Sequence, residues 1–152
     1  MSISDEIKQS SFKNEETKAV INLIFTGNFI VQRQQALMKP FGITMQQFNV
    51  LRILEGQKGQ AISVLSITER MLDKMSNASR LVDKLFAKKL VSRVQCEKDR
   101  RAVDVYILPA GSALLTQIEV HLDEFGKQIS QLGEENLKKL NELLDQFRSS
   151  IS

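Results

Sequence analysis

Ser76, Asn77, Arg80 and Lys84, with Ser79 at the edge, are spaced to share one face of a helix at 100° per residue. Each of these side chains can donate a hydrogen bond outward, whereas Asp83 on the same face can only accept. Short polar groups near a helix N-terminus, followed by an arginine, suit the base edges and phosphates of a duplex major groove. Charged outer faces are also the ordinary state of surface helices, so the face alone leaves both readings open. More cations follow: Arg93, then Lys98, Arg100 and Arg101, with Asp99 among them.

The elements that would carry these side chains can be read around them. Ala78, Leu81, Val82, Leu85 and Phe86 recur at the spacing of one helix face, which predicts a helix over 75–89 with those residues turned to a core. Ser63 is placed to cap a short helix through Val64, Leu65, Ile67 and Met71, and Leu72-Asp73-Lys74 is a connection of the length a helix-turn-helix needs. Residues 91–94 and 102–107 are rich in β-branched types and predict two strands of a hairpin, with Ala61-Ile62 as a short third strand. The segment between the hairpin strands, 95–101, carries three cations. A helix-turn-helix followed by a charged hairpin is a winged helix, so the expected fold is mainly α with a small β wing.

Charge is concentrated in the same stretch. Residues 74–101 hold nine Lys or Arg against three acidic side chains, a local net charge of +6, while the other 124 residues hold twelve basic and fifteen acidic ones, or −3. An overall +3 therefore conceals a positive surface beside a mildly acidic remainder, the footprint expected of a duplex-binding module.

The flanking segments predict helices with more apolar surface than one small domain can cover. Residues 18–38 read as a long helix that is apolar on two sides, through Val20, Ile24, Phe29, Val31 and Leu37 among others. Lys39-Pro40-Phe41-Gly42 ends it, and Thr44-Met45-Gln46-Gln47 has the form of a capping box opening a helix with Phe48, Leu51 and Leu54 inward. Leu115, Ile118, Leu122, Phe125, Ile129 and Leu132 form a heptad seam. Gly133 interrupts it, and Leu137, Leu140, Leu144, Phe147 and Ile151 resume it behind Glu134 and Glu135. The expected arrangement is one domain over 1–152, with 44–107 as the winged helix and 18–38 and 109–151 as dimerisation helices of a homodimer. An intramolecular hairpin of the last two helices is the alternative.

Enzyme chemistry finds little support. One His and one Cys supply no familiar metal site, and the seven glycines form no phosphate-cradling loop. No catalytic residue, metal or cofactor is expected, and His121 reads as a polar flank of the dimer interface. Basic neighbours would lower the thiol pKa of Cys96, and Glu97 and Asp99 oppose that. A lone cysteine makes no internal disulfide, and no stretch resembles a signal peptide or membrane span, so a cytoplasmic location is expected.

The segments Ser63-Val64-Leu65-Ser66-Ile67-Thr68-Glu69-Arg70-Met71, Ser76-Asn77-Ala78-Ser79-Arg80-Leu81-Val82-Asp83-Lys84-Leu85, Leu90-Val91-Ser92-Arg93 and, above all, Asp99-Arg100-Arg101-Ala102-Val103 resemble the MarR family of bacterial transcriptional regulators. The resemblance spans about 20–151 and is most specific in the middle third. It implies a homodimer that binds a pseudo-palindromic double-stranded DNA operator, usually as a repressor. Arg80 would lead the major-groove contacts, Arg100 and Arg101 would serve the wing, and Asp99 would orient a neighbouring arginine. It also implies a small lipophilic or anionic effector between the dimer helices and the DNA-binding region, around the first helix and Phe48.

Three positions depart from the family pattern. Lys89 stands where a helix-ending glycine is common, Leu108-Pro109 replaces a threonine cap, and Cys96 takes a wing position that is often acidic or polar. A rival reading is a winged-helix protein-interaction module without a specific operator. Arginines in both the predicted helix and the wing argue against it, since a protein-binding surface favours aromatic or apolar anchors.

Overall fold

The computed structural model describes residues 2–95 and 103–152. A short helix, α1 (Ile3–Glu6), precedes the long α2 (Glu15–Met38). Helix α2 starts earlier than the apolar pattern indicates because Asn14 caps it, its Oδ1 accepting the Thr17 N–H at 2.9 Å. Of the whole helix only Met38 is buried, while Ile24 and Phe29 remain more than half exposed. One 3-10 turn at Lys39–Phe41 follows, and Gly42 leaves it at φ 66°, a conformation that a side chain would strain.

Helix α3 (Met45–Glu55) opens with the anticipated capping box. Gln47 N–H donates to Thr44 Oγ1 at 3.2 Å, and Thr44 N–H donates to Gln47 Oε1 at 3.1 Å. Two backbone donors that a helix start leaves open are thereby satisfied. Phe48, Val50, Leu51 and Leu54 are buried, which makes α3 the centre of the core.

Strand β1 (Ile62–Ser63) runs into α4 (Val64–Arg70), whose cap is Ser63. After a seven-residue connection come α5 (Ala78–Ala87), β2 (Val91–Gln95) and β3 (Val103–Ile107). The sheet is antiparallel in the order β1-β3-β2, with Ile62 opposite Val105 and Arg93 opposite Val105 on the other edge. Val105 in the central strand is fully buried, and Val91 and Ile107 face the same core as α3 and α5.

Leu108 enters α6 (Pro109–Ser130) without a side-chain cap, and Pro109 occupies the first turn, where its missing N–H is no loss. Leu115 and Ile118 bury against the core. Arg52 pairs with Glu119, and Ser112 Oγ donates to Glu55 Oε2 at 2.7 Å, so α6 is fastened to α3 by polar contacts as well. Gly133 at φ 82° separates α6 from α7 (Glu134–Ser150). No residue of α7 is buried. Its Leu140, Leu144 and Phe147 face Ala19 and Leu23 of α2 across an apolar groove of about 390 Å³.

Candidate nucleic-acid interface

The connection between α4 and α5 is built from side-chain-to-backbone bonds. Asp73 organises it, accepting the Met75 N–H at Oδ1 (3.0 Å) and the Ser76 hydroxyl at Oδ2 (3.0 Å). Leu72 N–H donates to Asn49 Oδ1 at 2.9 Å, which ties the segment to α3, and Lys74 Nζ reaches the Glu69 carbonyl at 2.6 Å. Asx turns of this kind compete with helix, and here they win for three residues. The helix expected over 75–89 therefore starts at Ala78, with Asn77 as its cap: Asn77 Oδ1 accepts the Arg80 N–H at 3.0 Å.

Ser79, Arg80 and Lys84 lie on the helix and are exposed. Ser76 and Asn77 precede it, the first half-buried and bonded to Asp73, the second exposed and used as a cap through its Oδ1, which leaves the two amide N–H groups available as donors. Arg80 and Lys84 stand one turn apart and make no ion pair with another described residue. With Ser76 and Asn77 they line a groove of about 340 Å³, closed on its other side by Thr44 and Gln46 at the start of α3. The opposite face of α5 is core, through Ala78, Val82 and Leu85. Phe86 differs from its expected inward position, being 47% exposed.

Arg93 explains that position. It pairs with Asp83 on α5, and its guanidinium carbon lies 4.6 Å from the centroid of the Phe86 ring. Its side chain is thus engaged within the molecule. Lys98, Asp99, Arg100 and Arg101, together with Cys96, lie outside the described residues.

Helix α5 ends as a Schellman motif. Leu90 N–H donates to the Leu85 carbonyl at 3.1 Å and Lys89 N–H to the Phe86 carbonyl at 2.9 Å, with Lys89 at φ 58°. The lysine does adopt the left-handed conformation that a glycine would take without cost.

A second cleft, about 290 Å³, runs along α2 and α3 to the connection. Val31, Gln34 and Gln35 line it from α2, Met45 and Asn49 from α3, and Leu72 closes it. Phe48, named in the expected effector region, is buried in the core and does not line this cleft. His121 packs against Phe41, ring centroids 5.5 Å apart. Asn49 and Asp73 were not singled out by sequence reasoning. The one signal was a polar residue inside the apolar run Phe48-Asn49-Val50-Leu51.

Residues 43–103, which contain this helix pair with β1 and β2 and end at the first residue of β3, match the model of the MarR family. This winged-helix region belongs to the MarR family. Members of that family are transcription regulators, not enzymes. Solved MarR structures cover nearly the whole chain. AbsC, a MarR family transcriptional regulator from Streptomyces coelicolor, is 20% identical, with 93% of this chain and 98% of that one covered at a TM-score of 0.75. A MarR transcription factor from Planctomyces limnophilus is 26% identical over 89% of this chain and 98% of its own, at 0.67. The S. aureus MepR–DNA complex is 22% identical over 86% and 95%, at 0.73. No curated protein matches the sequence. Among the described residues no helix is long and apolar enough to cross a membrane.

Proposed function

We propose that this MarR-family chain is a cytoplasmic, sequence-specific double-stranded-DNA-binding transcription regulator. It acts as a homodimeric repressor whose operator binding responds to a small molecule. The observation that carries the reading is the solvent face of α5, where Arg80 and Lys84 project without ionic partners among the described residues, beside the donors of Ser76, Asn77 and Ser79. Unpaired cations beside amide and hydroxyl donors match base edges and phosphates. The S. aureus relative of like fold was solved as a DNA complex. Lys98, Asp99, Arg100 and Arg101 would extend the contact from the wing.

Residues 18–38 and 109–151 serve as the dimerisation helices in this reading. Ile24, Phe29, Val120, Leu143 and Ile151 are all more than half exposed, and a second copy would remove them from water. Two recognition helices about 34 Å apart would then read a pseudo-palindrome. The effector would occupy the cleft between α2 and α3. Its lining offers amides and apolar groups with Asp73 as its one charged residue, so a lipophilic guest without negative charge fits better than an anion. Selection from a random duplex pool tests the function: enrichment of an inverted repeat is expected, and an unenriched pool would rule the reading out. Sedimentation at micromolar concentration tests the dimer, which a monomer would exclude.

A further inference from the structure

Resting on the DNA-binding reading above, we infer that Arg93 is a positioning residue: it occupies Asp83 and so leaves Arg80 free for DNA. Val91 and Arg93 are two apart on β2 and lie on one face of the strand, the face that covers α5. From there the Arg93 guanidinium stacks on Phe86, 4.6 Å from the ring centroid, and pairs with the Asp83 carboxylate one helical turn away. A planar guanidinium can stack and donate in its plane at once, which a lysine cannot.

Asp83 is the one carboxylate on α5, and Arg80 stands three residues before it, the spacing at which side chains of a helix meet. Without Arg93, Asp83 would draw the Arg80 guanidinium back onto the helix surface. It would also set an uncompensated negative charge beside the face that approaches phosphates. With Arg93 in place, Asp83 is neutralised from the β2 side, and Arg80 and Lys84 keep no ionic partner among the described residues. The exposed Phe86 ring is the platform that holds the guanidinium in this position. Arg93 thus contributes to binding through Asp83 rather than through a phosphate of its own.

Four proteins decide the matter: wild type, Arg93→Ala, Asp83→Asn and the double variant. Each is titrated with a selected duplex at several salt concentrations, and melting curves check folding. Arg93→Ala is expected to bind about three- to ten-fold more weakly. Asp83→Asn is expected to bind at least as tightly as wild type, and the double variant to return to within about two-fold of it. A double variant as weak as Arg93→Ala, with a salt slope lower by about 0.9 for each lost contact, would assign Arg93 to a phosphate and overturn the inference. If Arg93→Ala does not fold, Asp83→Asn alone decides: equal or tighter binding upholds the inference, and a loss beyond about two-fold overturns it. A wild-type protein that selects no duplex overturns the DNA-binding reading as well, and the wild-type titration separates that failure from failure of the Arg93 role alone.

Discussion

Asn49, in the middle of α3, accepts the backbone N–H of Leu72 at 2.9 Å, so the helix at the centre of the core also holds the segment that launches α5. The amide has no other acceptor in the connection, because Asp73 spends both carboxylate oxygens on Met75 and Ser76. Replacing Asn49 by Leu removes the acceptor at a half-buried site and should cost about 1 kcal/mol of stability. Asn49→Asp keeps an oxygen there and should lose less. Urea unfolding of the two variants checks this, and equal losses would show that the bond contributes nothing specific.

Asn77 combines two tasks that substitutions can separate. Its Oδ1 caps α5, so Asn77→Ala should lower stability by about 1 kcal/mol. Asn77→Asp retains the cap and places a negative charge at the positive end of the helix, so stability should be kept or slightly raised. That same charge would face phosphates and should weaken duplex binding. Melting temperature and DNA affinity measured together should therefore move in opposite senses in Asn77→Asp, and a fall in both would contradict the split.

What was legible in the sequence was what local chemistry decides. Thr44 and Gln47 announce their capping box, Ser63 its cap, and Val82 and Leu85 their buried face, because each signal is complete within one turn. The pattern puts the start of α5 at 75, three residues before the Ala78 of the structure, since Asp73 can either sit in a helix or fold back on Met75 and Ser76, and the choice depends on Asn49 holding Leu72 from another helix. The partner of Arg93 was illegible for a similar reason: it requires the register of β2 on β3 and the packing of that sheet on α5. Phe86 fits a core pattern by spacing alone, and only the guanidinium above it accounts for its exposure.

Lys89 bears a cost that was visible in the sequence as a missing glycine. At φ 58° its Cβ crowds the backbone, whereas glycine would close the same Schellman bonds without strain. Lys89→Gly should stabilise the protein by about 1 kcal/mol, net of the greater freedom glycine has when unfolded. Thermal unfolding is the check, and a lower melting temperature would mean that the Lys89 side chain contributes something the backbone geometry does not show.

Gly111 lies where the first turn of α6 crosses the end of the β2 approach. A Cβ built there would stand 2.4 Å from the Leu90 carbonyl oxygen and 2.7 Å from Ile107 Cγ1. The nearer atom is backbone, which also accepts the Leu108 N–H at 3.0 Å and cannot withdraw without opening that bond. Gly111→Ala should therefore destabilise by roughly 1–3 kcal/mol despite the better helix propensity of alanine. Denaturant titration giving unchanged or higher stability would show that α6 can slide on the sheet.

Arg80 and Lys84 share a face but should fail differently when removed. Arg80, in the first turn of α5 and hydrogen-bonded there through its backbone N–H to Asn77, projects from the helix end that would enter a groove first in the proposed DNA-binding reading. Arg80→Ala should cost about 1–3 kcal/mol on a selected operator and relax preference at one base position. Lys84, a turn further along, would meet phosphate in the same reading, so Lys84→Ala should weaken selected and random duplexes alike while reducing the salt slope by about 0.9. Titrating both variants against both duplexes at several salt concentrations distinguishes the roles. If Arg80→Ala lost equal affinity on selected and random DNA, base reading would pass to the cap amide of Asn77 and the hydroxyl of Ser79 instead.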